Sequence, residues 1–123
     1  MRKHGLLNPA LVGHVARLGH TDTFVVADAG LPIPAMVPVV DLTLVFGVPR
    51  FSEVVSALLD EVVVEGAVIA SETPDQVRGH LPPDPEEVSH EELKRLVGQA
   101  SFVVRTGETI PYANVIFRSG VPF

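Results

Sequence analysis

From residue 8 the chain reads "NPALVGHVARLGH", and its apolar positions recur at helical spacing. Leu11, Val12, Val15, Ala16 and Leu18 share one face, which leaves His14 and Arg17 on the solvent side. Asn8 can cap the first free N–H groups, Pro9 suits the first helical position, and Gly19 can take the left-handed conformation past the end. "TFVVAD" then changes the period: it is short, β-branched and apolar on both faces, as a strand covered from each side should be. It ends at Asp28.

"VVDLTLVF" alternates well enough for a second strand, and "RFSEVVSALLDE" places Phe51, Val54, Val55 and Leu58 on one helical face. "VVVEGAVIAS" predicts another buried strand. "ETPDQVRGHLPPDPEE" is rich in proline and acid, and reads as a flexible surface connection without elements of its own. In "SHEELKRLVG", Ser89 and Glu92 stand at capping-box spacing and Gly98 closes the helix, with His90 in its first turn. "ASFVVRTG" and "ANVIFRSG" complete the set as strands. Strands interleaved with helices, several of them apolar throughout, predict an α/β fold: a three-layer α/β/α sandwich around a partly parallel, mixed sheet with a Rossmann-like core.

Composition narrows the picture. With 123 residues the chain fits a single domain, 1–123. Apolar residues make up 46% of it, more than so small a domain needs for its core, so part of that surface is expected at contacts between copies of the chain. A net charge of −6 with nine scattered basic residues argues against a nucleic-acid partner, which would need clustered Lys and Arg. The absence of cysteine removes disulfides, thiolate nucleophiles and Cys-based metal centres together, and agrees with a reducing compartment. The basic N-terminus is interrupted by His14 and Arg17 and makes no signal-peptide core. The most apolar run, "VVVEGAVIA", falls about ten residues short of the roughly 20 that a spanning helix needs. No membrane association and a cytoplasmic location are expected.

The candidate chemistry is sparse. The five histidines, His4, His14, His20, His80 and His90, show no HxH or HxxxH pairing, so no metal site is expected. No GxGxxG, Walker-type or GxSxG pattern occurs, which removes support for a dinucleotide, phosphoryl transfer or an elbow serine. No cofactor is expected. Asp28 follows a strand, where open α/β sheets bind ligands, and Gly30, Pro32 and Pro34 stiffen the loop after it; an aspartate there can equally close its own turn. His20 lies in the polar turn "GHTD", where an imidazole suits proton transfer near neutral pH, or can serve the carbonyls ending the preceding helix. Tyr112 and Asn114 in "PYANVIF" can donate to and accept from neutral hydroxyls, as sugar recognition requires, although a tyrosine at a strand edge is also ordinary packing. Eight residues separate His20 from Asp28, up to about 26 Å if extended, so the two share a site only if the turn folds back or different subunits contribute.

The stretches "RLGHTDTFVVADAGLPIP", "LTLVFGVPRFSEVV", "VRTGETIPYANVIF" and "SGVPF" together resemble the D-ribose pyranase family, bacterial sugar-ring isomerases of ribose uptake, over nearly the whole chain. The related L-fucose mutarotases share the histidine, the aspartate and the Tyr-Ala-Asn, but typically read GHGD and DAHFP where this chain has GHTD and DAGLP. The resemblance implies that His20 is the catalytic proton donor and that Asp28, His90, Tyr112, Ala113 and Asn114 bind substrate. Relative to longer members the region between Ser71 and Ser89 is shortened, which leaves His80 as an alternative to His90. It further implies D-ribose as the small-molecule partner, pyranose–furanose interconversion as the reaction, and a homodecamer of two stacked five-membered rings with clefts between adjacent subunits.

Overall fold

The computed structural model describes all 123 residues. In chain order the elements are α1 (Pro9–Ala16), β1 (Thr23–Ala27), β2 (Val39–Asp41), α2 (Phe51–Leu59), β3 (Val64–Ala70), α3 (Asp75–Arg78), β4 (Glu86–Val88), α4 (His90–Val97), β5 (Phe102–Arg105) and β6 (Val115–Ser119). The strands form one six-stranded sheet in the order β2-β5-β1-β6-β3-β4. β1, β2 and β5 are mutually parallel, β3 is parallel to β4, and β6 runs antiparallel to both β1 and β3. Only β6 is reversed, so the carboxyl ends of the other five strands gather at one end of the sheet, together with the start of β6.

Strand alternation sorts the core into two layers. Phe24, Val26, Phe102, Val104, Val115 and Phe117 face α1 and α2, where they meet Leu11, Phe51, Val54, Val55 and Leu58. Val25, Ala27, Val103 and Ile116 face α4, through Leu93 and Val97, and the loop residues Leu31 and Val37. The mixed three-layer sandwich predicted from the sequence is therefore the observed architecture. Phe24 lies between Phe102 and Phe117 at ring-centroid distances of 5.5 and 5.4 Å. Truncating one such buried ring costs about 3–5 kcal/mol, which makes this stack the anchor of the central strands. No helix is long and apolar enough to cross a membrane.

Four local expectations are corrected. The proline- and acid-rich segment after β3 carries α3, which pins Val77 into the core, and β4, a parallel edge partner of β3. "EEV" has no apolar alternation to announce a strand; its pairing is imposed by the neighbour, and charge on an edge strand is a common guard against aggregation. The second strand stops at Asp41, and Leu44, Val45 and Phe46 project outward at 76, 58 and 84% exposure in a turn closed by a Val45–Val48 bridge. His14 is half-buried rather than fully solvated: its ring stacks on Phe102 at 5.0 Å. The left-handed residue after α1 is Thr21, with φ of 72°, rather than Gly19. Helical bonding persists to Leu18 through i→i−3 contacts, so the chain reverses later than the glycine suggested.

Candidate functional site

At the carboxyl end of the sheet, Asp28 leaves β1 and Asn114 enters β6 on the neighbouring strand. The two are tied reciprocally: the Asp28 backbone N–H donates to Asn114 Oδ1 at 2.9 Å, and Asn114 Nδ2 donates to Asp28 Oδ2 at 3.2 Å. This pairing fixes the amide orientation, since the opposite flip would set an NH2 group against an N–H donor. Asp28 Oδ1 also accepts from the Gly30 N–H at 2.9 Å, so the aspartate does close its own turn while facing Asn114. Asn114 is 1% exposed, so the pair is held in a buried setting where it has little freedom to reorient.

Tyr112 holds its place by backbone strain and two clamps. Its φ is 63°, a conformation that costs a side-chain-bearing residue about 1–2 kcal/mol. The carbonyl of Tyr112 accepts from the Asn114 N–H at 2.9 Å and from Thr73 Oγ1 at 3.2 Å. Ala113, between them, is fully buried. The His90 ring meets the Tyr112 ring edge-on at 5.0 Å and 80°. His90 Nδ1 is buried with no hydrogen-bond partner. A buried polar atom without a partner is costly, so this nitrogen keeps unused hydrogen-bonding capacity.

Residues that the sequence analysis did not single out support this cluster. The Glu72 carboxylate accepts from the His90 N–H at 3.3 and 3.4 Å, at the start of α4. The Ser71 hydroxyl, followed by backbone N–H groups including that of His90, holds the Glu72 carboxyl below the usual range. Buried Thr106 donates to the Ala27 carbonyl at 2.8 Å and accepts from the Glu108 N–H at 3.1 Å, which ties the loops after β1 and β5 together. A hollow of about 300 Å³ opens beside Asp28, Ala29 and Gly30, walled by Phe46, Glu108 and Thr109. His80 lies instead on a larger hollow of about 620 Å³ beyond that wall, with Arg50 and Glu53. Of the two histidines, His90 is the one in contact with the Tyr112–Asn114 segment.

His20 is not part of this cluster. The turn that bears it precedes β1, at the opposite end of the sheet, and about 13 Å of strand separates it from Asp28. It is nonetheless well placed. The Gly19 N–H donates to Asp22 Oδ2 at 2.8 Å, and Thr21 and Asp22 pair with Ser119 at the end of β6. His20 Nε2 lies 2.9 Å from Glu65 Oε2, with 52% of its side chain exposed. Thus Asp28, His90, Tyr112, Ala113 and Asn114 come together within one chain, and His20 faces outward elsewhere. No three His, Asp or Glu side chains are grouped as metal ligands.

Comparison with known proteins places this geometry. The chain is 60% identical to a D-ribose pyranase of Corynebacterium glutamicum over the full length of both, and 60% identical to one of Cutibacterium acnes, again over all of both chains. Its structure superposes on that of Bacillus subtilis RbsD complexed with D-ribose with a TM-score of 0.94 and 42% identity, covering the whole of each chain. A family model described as the RbsD / FucU transport protein family matches residues 1–122. With its full length accounted for in sequence and in fold, the chain belongs to the RbsD / FucU family.

Proposed function

We propose that this chain is an isomerase that interconverts the pyranose and furanose rings of D-ribose. The observation that carries the reading is the Asp28–Asn114 pair beside an unpartnered His90 Nδ1, in a chain that aligns end to end with D-ribose pyranases. Asp28 has acceptor capacity left for sugar hydroxyls, Asn114 has a free amide hydrogen, and Tyr112 and His90 contribute a phenol and an imidazole from one side. Such a set fixes a neutral polyol by directional hydrogen bonds, the strongest of them to the Asp28 carboxylate.

The reaction needs only protons. A proton leaves the anomeric hydroxyl O1 to water, the C1–O5 electron pair passes to O5 as C1=O1 forms, and O5 takes a proton from an acid. Reclosure joins O4 to C1 with the proton traffic reversed. His20 supplies the acid, a contribution typically worth about 10² to 10⁴ in rate. Asp28 and Asn114 hold the hydroxyls and so limit which oxygen meets C1 on reclosure.

Because His20 stands at the far end of its own sheet, the complete site is formed between copies: His20 of one protomer meets the Asp28–Asn114 cluster of a neighbour. Head-to-tail contacts of this kind close into rings, and a decamer of two pentameric rings in the cytoplasm fits the proposal. The exposed Leu44, Val45 and Phe46, beside the Asp28 hollow, supply apolar surface for such a contact. The direct test is NMR saturation transfer between the anomeric signals of ribose at micromolar protein, with L-fucose as the comparison sugar. Accelerated exchange of ribose above fucose supports the reading. Ribose binding by calorimetry with no acceleration would make the protein a sugar binder and overturn it.

A further inference from the structure

The His20 end of the sheet contains more than the histidine. Its imidazole contacts Glu65, and two features of β3 and one of β6 place that carboxylate there. Val64 pairs with Ser119 and Gly66 with Arg118, so two residues of β3 face one interval of β6 and Glu65 is the extra residue of a bulge. A bulge re-aims the side chain at the irregularity. Next, a Cβ on Gly66 would lie 2.7 Å from Arg118 Nη2 and 3.1 Å from its Cζ. Glycine at 66 leaves room for the Arg118 guanidinium where it now lies, and a Cβ there would make it shift. From there Arg118 Nε donates to Glu65 Oε1 at 3.1 Å, while Glu65 Oε2 faces His20 Nε2 at 2.9 Å. The His20 hydrogen bond first, and the Arg118 contact after it, hold the Glu65 carboxyl below its ordinary range.

An ionised carboxylate only accepts hydrogen bonds, so the nitrogen facing Glu65 must carry a proton. In neutral His20 the lone pair is then on Nδ1, turned away from the carboxylate. We propose that Glu65 is a positioning residue for ring opening: it fixes the His20 ring and its Nε2–H tautomer, so that Nδ1 is the atom that exchanges a proton with the sugar. In the imidazolium, Nδ1–H gives its proton to O5 as the C1–O5 pair moves to O5, and Nε2–H stays bonded to Glu65. The inference rests on the reading of His20 as the proton donor. The carboxylate behind an imidazole acts here as in other acid–base pairs, by orientation and tautomer rather than by taking the proton itself.

The test compares the full-length protein with His20→Ala, Glu65→Ala and Glu65→Gln, measuring kcat and KM for ribose exchange and the two ring-nitrogen shifts of His20 in long-range ¹H–¹⁵N spectra. The His20 signals are those missing in His20→Ala. Glu65→Ala is expected to lower kcat about tenfold to a hundredfold, part of the 10² to 10⁴ of general acid–base catalysis, with KM within about twofold. Its two ¹⁵N shifts should draw together as tautomers mix. Glu65→Gln, whose amide oxygen can still accept from Nε2, should recover part of kcat. If His20→Ala keeps the wild-type rate, the donor assignment falls and this inference with it. If His20→Ala loses the rate while Glu65→Ala keeps kcat, or if the wild-type spectrum shows the proton on Nδ1, the Glu65 inference alone is overturned.

Discussion

The two ends of the sheet differ in kind. At the carboxyl end the polar groups are partly or fully buried and locked into one another: Asn114, Thr73 and Thr106 are 1, 4 and 0% exposed, and Asp28 is held by two N–H donors. At the other end His20, Glu65 and Arg118 form an exposed chain of charge-bearing groups. Buried, satisfied groups hold a ligand's hydroxyls in register because they reorganise little; an exposed imidazole backed by a carboxylate can load and unload protons from water. On the proposed reading one end binds the sugar and the other transfers protons, and neither alone makes a complete site.

That division makes unequal predictions for the two ends. The largest effect belongs to His20→Ala, which should slow ribose ring exchange by about 10² to 10⁴ while leaving ribose affinity within a few-fold by calorimetry. A comparable loss of affinity would erase the distinction between the ends. Asp28→Ala should act the other way, raising the ribose Kd by about ten- to a hundredfold, because a hydrogen bond to a charged group is worth about 1.5–3 kcal/mol. Tyr112→Gly sharpens the contrast within the binding end. Relief of the left-handed backbone, about 1 kcal/mol, offsets the entropy cost of glycine, so thermal stability should hold to within about 1 kcal/mol while affinity falls several-fold. A large stability loss instead would mean that Tyr112 is there for packing.

The smallest effect is on acid stability. The Glu65, Glu72 and Glu92 carboxyls are all held low in the folded chain, by His20, by Ser71 and by Arg95 respectively. The unfolded chain therefore binds protons that the folded one refuses. Their contribution is fully present above the ordinary carboxylate pKa and is lost as pH falls through the lowered folded values. Urea melts from pH 6 to pH 3 should show a shallow decline below about pH 4.5, reduced in Glu72→Gln. All three carboxylates are solvent-accessible, so the slope should be slight.

How much of this was legible in the sequence follows from what each residue answers to. β1, β5, β6, α2 and α4 could be read because their apolar spacing is their reason for existing, and the distance problem between His20 and Asp28 was visible from residue count and strand rise alone. β4 could not, since "EEV" pairs only because β3 lies beside it. Leu44 to Phe46 misled in the opposite sense: apolar residues predict burial, and these three are exposed in a turn instead. His14 is half-covered by the ring of Phe102, a partner 88 residues along the chain. Glu65 does leave a trace in the sequence. A lone acid followed by glycine inside "VVVEGAVIA" is the sequence mark of a bulge.

Mixing the two impaired variants, with ribose kept below the wild-type Kd, tests the division between the ends most directly. His20→Ala keeps the binding cluster and Asp28→Ala keeps the proton donor, so a copy of each can together form an intact site if that site spans two chains. Co-refolding the two in equal amounts should restore about a quarter of the wild-type exchange rate, because in a head-to-tail assembly one contact in four joins an intact His20 to an intact Asp28. An exchange rate that stays at the level of the separate variants, with mixed assembly verified by mass spectrometry, would place His20 and Asp28 in the same chain's site and contradict the account.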